Sequence, residues 1–345
     1  MFAAAWAKQV GISREAAEIY LAGDVVDLHI DTFIWTRIFG YDLTRRHGRG
    51  IFDARFYGHA DLPRLRDARV TGGIWSITTN PLRRHRAETF RGNLEELVRI
   101  FETVPSAVHL CRNAADYRAA RKGGKHAAFI GIQGGNALDE PGALDTFDSS
   151  RLIKVTIVHL STSKLGQTSA PSGDRKGGLS ARGREFVREL DARRIFVDLA
   201  HINRKGFFDA VAAHDRSLPL LVSHTGIAGV HEHWRNVDDE QLRAVAATGG
   251  VIGVMYQASF LGDPLFFGRA ERVVDHLAHI IDVVGEDYAA LGSDWDGAIV
   301  TPRDMATCLE LPRLVDMMLA RGWTPQRIQK ILGGNFIRSL GELRR

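Results

Sequence analysis

The residues of this chain that could do chemistry stand at the ends of short apolar runs. His29 and Asp31 are one residue apart where the run 25–30 ends. On an extended strand both side chains project to one side, offering an imidazole nitrogen and a carboxylate oxygen together. Gln133 follows the run 127–132, and His201 and His224 follow 195–199 and 218–222. Two neutral imidazoles added to a His-x-Asp pair make a nitrogen and oxygen donor set suited to zinc or another borderline divalent ion. Each of these histidines alone reads as readily as a core or helix-cap residue; their shared position at strand ends points to a metal.

Four further residues could act beside such an ion. Asp294, in Leu291-Gly-Ser-Asp-Trp-Asp-Gly297, follows the run 289–291 and is placed to take a proton from a metal-activated water. Asp296 precedes a glycine, and Asp-Gly is a common turn pair, so it is expected to shape a turn. His159 follows 153–158 and precedes a Ser/Thr/Gly-rich loop. It could donate to a developing oxyanion or hold a substrate carboxylate, the plainer alternative being a loop anchor. Arg235 opens the segment at Asp238 and could clamp a carboxylate in bidentate fashion. Tyr256, closing the run 251–256, completes the substrate-binding candidates.

The elements that must position these residues are eight apolar runs: 25–30, 73–77, 127–132, 153–158, 195–199, 218–222, 251–256 and 289–291. Helical periodicity lies between them, for example over 92–104, 180–193, 238–248 and 270–284. Strands alternating with helices predict parallel pairing through crossovers. With no linker or composition shift, the arrangement favours a single (β/α)8 TIM barrel over residues 1–345, with a short helical extension at about 1–22. Barrel enzymes build their sites from the carboxyl ends of the strands, which is where the candidate residues lie.

Composition narrows the partners. In 345 residues, 45 Lys and Arg stand against 41 Asp and Glu, and the basic residues are scattered instead of striped, which argues against nucleic acid. The densest basic runs, Arg45-Arg46-His47-Gly48-Arg49 and Arg83-Arg84-His85-Arg86, are expected on solvated loops. Two cysteines, Cys111 and Cys308, are too few for a disulfide framework and predict a reducing compartment. No apolar stretch reaches membrane-spanning length, no basic region precedes the small-residue patch at the N-terminus, and the C-terminus carries no lipid-anchor tail. A cytoplasmic protein with no membrane partner is the expectation.

These motifs together resemble the membrane (renal) dipeptidase family, zinc peptidases among the amidohydrolase-like metal barrels. The resemblance runs from Val25-Val-Asp-Leu-His-Ile-Asp31 through Asp61-Leu-Pro-Arg-Leu65, Ile130-Gly-Ile-Gln-Gly-Gly135, Thr156-Ile-Val-His159, Val197-Asp-Leu-Ala-His201, Ser223-His224 and Arg235-Asn-Val237 to Gly292-Ser-Asp-Trp-Asp-Gly297 and Gly334-Asn-Phe336. It implies that His29 and Asp31 bind one zinc and His201 and His224 a second. It further implies that His159 polarises the scissile carbonyl, Arg235 holds the substrate's terminal carboxylate and Asp294 is the base, acting on a small dipeptide-like substrate in a homodimer.

One position departs from the family. Its bridging glutamate is Gln133 here, a neutral amide with one carbonyl oxygen and no charge to screen two ions from each other. Asn136 stands where many relatives place histidine or aspartate. The expectation is a metal-dependent dipeptidase with one or two zinc ions, working on a dipeptide that could carry a D-residue at its C-terminal side. The alternatives are an impaired member that only binds ligand, or a mononuclear amidohydrolase acting on another amide, lactone or ester.

Overall fold

The apolar runs become strands buried on both faces, as parallel strands covered by helices are. The computed structural model describes residues 2–79 and 85–344. Among the described residues nine strands follow in chain order: β1 (Val26–Ile30), β2 (Gly72–Thr78), β3 (Val108–Leu110), β4 (His126–Gln133), β5 (Leu152–Thr156), β6 (Phe196–Asp198), β7 (Leu221–Thr225), β8 (Val251–Val254) and β9 (Ala289–Leu291). All pair in parallel. β1 lies between β2 and β9, β2 also pairs with β4, and the order then runs from β4 to β9, so that eight strands close into a barrel.

The expected eight-stranded barrel is therefore present, with one addition. β3 pairs with β4 along His126, Ala127 and Ala128, below the stretch from Ile130 onward where β5 takes over. It extends the sheet outside the closed ring. Helices begin where capping chemistry satisfies their first amides. Ser180 caps Ala181–Ala192, Asp238 forms a capping box with Gln241 ahead of Asp239–Ala246, and Thr324 caps Pro325–Gln329. The helix expected over 92–104 starts earlier, as Arg86–Glu102. Two helices, Phe2–Val10 and Arg14–Ala22, precede β1.

The last helix, Asn335–Leu343, covers the amino-terminal end of the barrel. Phe336 packs against Phe129 of β4 and Phe196 of β6, with ring centroids 5.7 and 6.0 Å away. Arg344 donates to the carbonyls of Ser150, Leu152 and Arg194, at or just before the starts of β5 and β6, and to that of Arg112, just past β3. The floor is thus apolar and plugged, and the opposite end is left for the polar residues. Arg45, Arg46 and Arg49 lie on an exposed loop as expected, whereas Arg83 and Arg84 fall outside the described residues. Among the described residues no helix is long and apolar enough to cross a membrane.

Asp296 is a turn residue with a larger task than its dipeptide suggests. It adopts φ 68°, and its fully buried carboxylate accepts from the amides of Gly58, His59 and Ala60 and from the Thr32 hydroxyl. It ties the loop before the helix Leu62–Asp67 to the loop after β9. Truncating it strands several buried donors, each of which costs on the order of 1–3 kcal/mol. Asp296→Ala is expected to lower unfolding free energy by about 3 kcal/mol or more in urea denaturation. A loss below about 1 kcal/mol would contradict this anchoring role.

Candidate metal centre

Strand ends bring the candidate residues together. His29 and Asp31 come from β1 and the turn beyond it, Gln133 from the last position of β4, His224 from β7, and His201 and Asp294 from the loops after β6 and β9. His201 Nε2 lies 2.9 Å from His224 Nε2, and the Gln133 amide approaches them at 3.0 and 3.3 Å. The His29 and His224 rings lie with centroids 3.8 Å apart, tilted by 31°. His29 Nε2 lies 3.5 Å from Asp31 Oδ1 and 3.8 Å from Asp294 Oδ1. One ligand atom each from His29, His224 and Asp294 fits within 4.8 Å.

The donor set suits a divalent ion. Among the described residues, His29 Nε2 and His201 Nδ1 are buried without a hydrogen-bond partner, and such orphaned nitrogens are costly unless something occupies the space they face. Burial drives His201 and His224 well below the usual imidazole range, which leaves them neutral and able to ligate. Asp31 is pulled below the usual carboxylate range: burial opposes ionisation, but His29 and the Thr78 hydroxyl outweigh it. Asp294 moves the other way, driven well up by burial and by the neighbouring Asp31. Two carboxyl groups with opposed displacements are a pattern seen where one is held ionised and the other handles a proton.

Thr78 sets the orientation of the Gln133 amide. Its hydroxyl lies 2.7 Å from Asp31 Oδ1 and 2.9 Å from the Gln133 side chain, and it has one proton to give. An ionised carboxylate is the stronger acceptor. As placed, the amide's Oε1 faces Thr78 and its NH2 faces His201 and His224; with that proton on Asp31 and an ion held between the two histidines, the amide would be better satisfied turned over, its NH2 donating to Thr78 and its carbonyl oxygen toward the ion. In that orientation the neutral side chain presents its oxygen to the centre. Behind it, Gly134 adopts φ 95°, and a Cβ there would meet the Thr79 hydroxyl at 2.4 Å, so the glycine after Gln133 is required. Asn136 accepts from the same Thr79 hydroxyl and shapes the loop.

The other candidates surround this cluster. The His159 ring lies edge-on to His201 with centroids 4.6 Å apart and is partly exposed. Arg235 is only 3% exposed, donates from Nη2 to the His224 carbonyl, and its Nε has no partner. Among the described residues it forms no ion pair, and burial lowers its pKa to about 10. Tyr256 is fully buried beside Trp295, with its hydroxyl unpartnered. A cleft of about 460 Å³ opens alongside, lined by Ile34, Arg37, Thr79 and Asn93, and Thr78 connects it to the donors.

Sequence reasoning missed the layer beneath. Lys154 of β5 is 0% exposed, and its Nζ lies 2.8 Å from Asp198 Oδ2 of β6. Asp198 also accepts from the hydroxyls of Thr156 and Ser223. Burial would raise its carboxyl, but the Lys154 ammonium and these hydroxyls hold it well below the usual range. The signal was present: a lysine inside Leu152-Ile-Lys-Val-Thr156 and an aspartate inside Phe196-Val-Asp198 must pair if both strands are buried.

Comparison with known proteins identifies the family. The family description "Membrane dipeptidase (Peptidase family M19)" matches residues 13–345. An uncharacterised protein of Klebsiella pneumoniae, encoded in the pqqA 5' region, is 31% identical over 244 residues, covering 68% of this chain and 88% of the relative. Dipeptidase tcpJ of Claviceps purpurea is 29% identical over 299 residues, 83% of this chain and 69% of its own length. A metallopeptidase of Rhodobacter sphaeroides, solved with a phosphinate mimic of the dipeptide L-Ala-D-Ala, superposes with a TM-score of 0.81 at 25% identity, covering 92% of this chain and 98% of that one. The chain belongs to the membrane dipeptidase family M19 and is a metal-dependent dipeptidase.

Proposed function

We propose that the chain hydrolyses dipeptides at a zinc centre formed by His29, Asp31, Gln133, His201 and His224, including dipeptides with a D-residue at the C-terminal side. The observation that carries this reading is the convergence of the His201 and His224 Nε2 atoms on the Gln133 amide, 2.9 to 3.3 Å apart, beside the buried Arg235 guanidinium, which forms no ion pair among the described residues. The stereochemical part rests on the L-Ala-D-Ala mimic bound by the Rhodobacter sphaeroides relative. Cys111 and Cys308 are both buried free thiols, which suits a reducing, cytoplasmic setting.

A bound divalent ion would supply the positive charge that acidifies a water and polarises the scissile carbonyl. The chain's own groups do the rest. Arg235, already desolvated and without a carboxylate of its own, holds the substrate's terminal carboxylate. His159, on the exposed side of His201, donates to the carbonyl oxygen as negative charge develops there. Asp294 takes the proton of the attacking water and passes it to the leaving amine. Tyr256 offers a hydroxyl with no competing partner among the described residues. The cleft beside Thr78 gives the substrate a way in.

Three measurements test these assignments. His201→Ala and His224→Ala are each expected to lose bound metal and hydrolase activity together, read by elemental analysis and dipeptide cleavage. Unchanged metal in both variants would remove them from the centre. Asp294→Asn is expected to keep the fold and most of the metal while lowering kcat by about 10²-fold or more, and wild-type turnover in that variant would rule it out as the base. Gln133→Glu restores an anionic ligand between the two halves, so it is expected to raise metal content toward two ions per chain and to increase hydrolysis. A fall in both would show that the carboxylate cannot be accommodated there.

A further inference from the structure

The polar layer under the centre treats the neighbouring histidines His29 and His224 differently. Lys154 Nζ, wholly enclosed by the barrel, has four neighbours at bonding distance: Asp198 Oδ2 at 2.8 Å, His29 Nδ1 at 3.0 Å, Thr156 Oγ1 at 3.1 Å and Ser223 Oγ at 3.2 Å. An ammonium only donates. His29 Nδ1 must therefore be a bare acceptor, and the proton of this neutral ring sits on Nε2, facing Asp31 and Asp294. The Ser76 hydroxyl, 3.2 Å from the same Nδ1, can only reinforce that arrangement by donating as well.

His224 is set the opposite way. The Ser223 hydroxyl gives its proton to Asp198 Oδ2 at 2.6 Å, and His224 Nδ1 lies 2.8 Å from the Ser223 oxygen. The ring thus donates its Nδ1 proton to Ser223, and Nε2 is left bare toward His201 and Gln133. A ligating imidazole needs a bare nitrogen aimed at the ion and a proton on the other nitrogen held by an acceptor. His224 has this arrangement. His29 has the reverse, and changing it would aim an N–H at an ammonium.

We propose that Lys154 is a positioning residue that makes the centre asymmetric: one ion binds tightly between His201, His224 and the Gln133 carbonyl oxygen, and the His29–Asp31 side binds a second only weakly. The inference rests on the metal-centre reading above and deepens it. Charge acts in the same direction as the tautomers. A fixed positive charge stands under the His29 side, and an amide replaces the carboxylate that would offset a second ion. Lys154 does not touch substrate; it acts through His29.

The test is zinc stoichiometry and competition-measured affinity on the full chain, stripped with chelator and reloaded, for the unaltered protein, Lys154→Met and the charge-keeping Lys154→Arg. The unaltered protein and Lys154→Arg are expected to retain one zinc ion per chain through dialysis. Lys154→Met is expected to retain two, with the second bound about tenfold or more tighter than in the unaltered protein. Two tightly held ions in the unaltered protein, or one in Lys154→Met, would overturn the proposal while leaving the dipeptidase centre standing. No bound metal in any form would instead overturn the centre itself, and the proposal with it. Should Lys154→Met fail to fold, 15N spectroscopy of the histidine rings in the metal-free unaltered protein decides. A proton on His29 Nε2 supports the proposal, and a proton on Nδ1 overturns it.

Discussion

The pair formed by Lys154 and Asp198 is the constraint on which the rest of the site depends. Two opposite charges lie 2.8 Å apart in the barrel interior with neither side chain exposed. Ions so placed are tolerated only when each is fully hydrogen-bonded, because their desolvation cost can exceed their mutual attraction. Asp198 meets this condition with the hydroxyls of Thr156 and Ser223 and the amides of Ala200 and Ser223. Lys154 meets it with oxygens from β5, β6 and β7 and a nitrogen from β1. A group so fully committed cannot move without breaking bonds to four strands, so the histidines it touches directly or through Ser223 are held in fixed orientations and fixed tautomers.

Above that layer the backbone itself is held in sparsely populated conformations. His201 and Asp294 both adopt positive φ, 66° and 62°, which non-glycine residues do at a cost that surrounding structure must offset. Both lie just past strand ends, His201 after β6 and Asp294 after β9. The Asp294 amide donates to the His29 carbonyl and the Asp31 amide to the Trp295 carbonyl, so the two carboxylate-bearing turns brace each other. Asp296 fastens the same turn to residues 58–60.

Much of this was legible in the residues themselves. The parallel order of β1 to β9 follows from apolar runs alternating with amphipathic helices, and parallel strands carry their carboxyl ends to one mouth, which is why His29, His201, His224 and Asp294 could be grouped without coordinates. The run at 218–222 was misplaced for a physical reason. Pro219 has no amide to give to the ladder, so β7 begins at Leu221 and continues through Ser223, His224 and Thr225, polar residues that belong in a strand because the upper barrel interior is polar. β3 was not visible: three residues pairing at the base of β4 leave no periodicity to detect. The roles of Lys154, Asp198 and Thr78 depend on which strands are neighbours and on the register that sets Thr156 beside Asp198, and spacing within one segment carries none of that.

The most direct test of the account is where metal sits. Anomalous diffraction at the zinc edge, from crystals of the unaltered protein grown with about one equivalent of zinc per chain, is predicted to give one dominant peak bounded by His201 Nε2, His224 Nε2 and the Gln133 side-chain oxygen. Two peaks of equal height, one of them between His29 and Asp31, would contradict it.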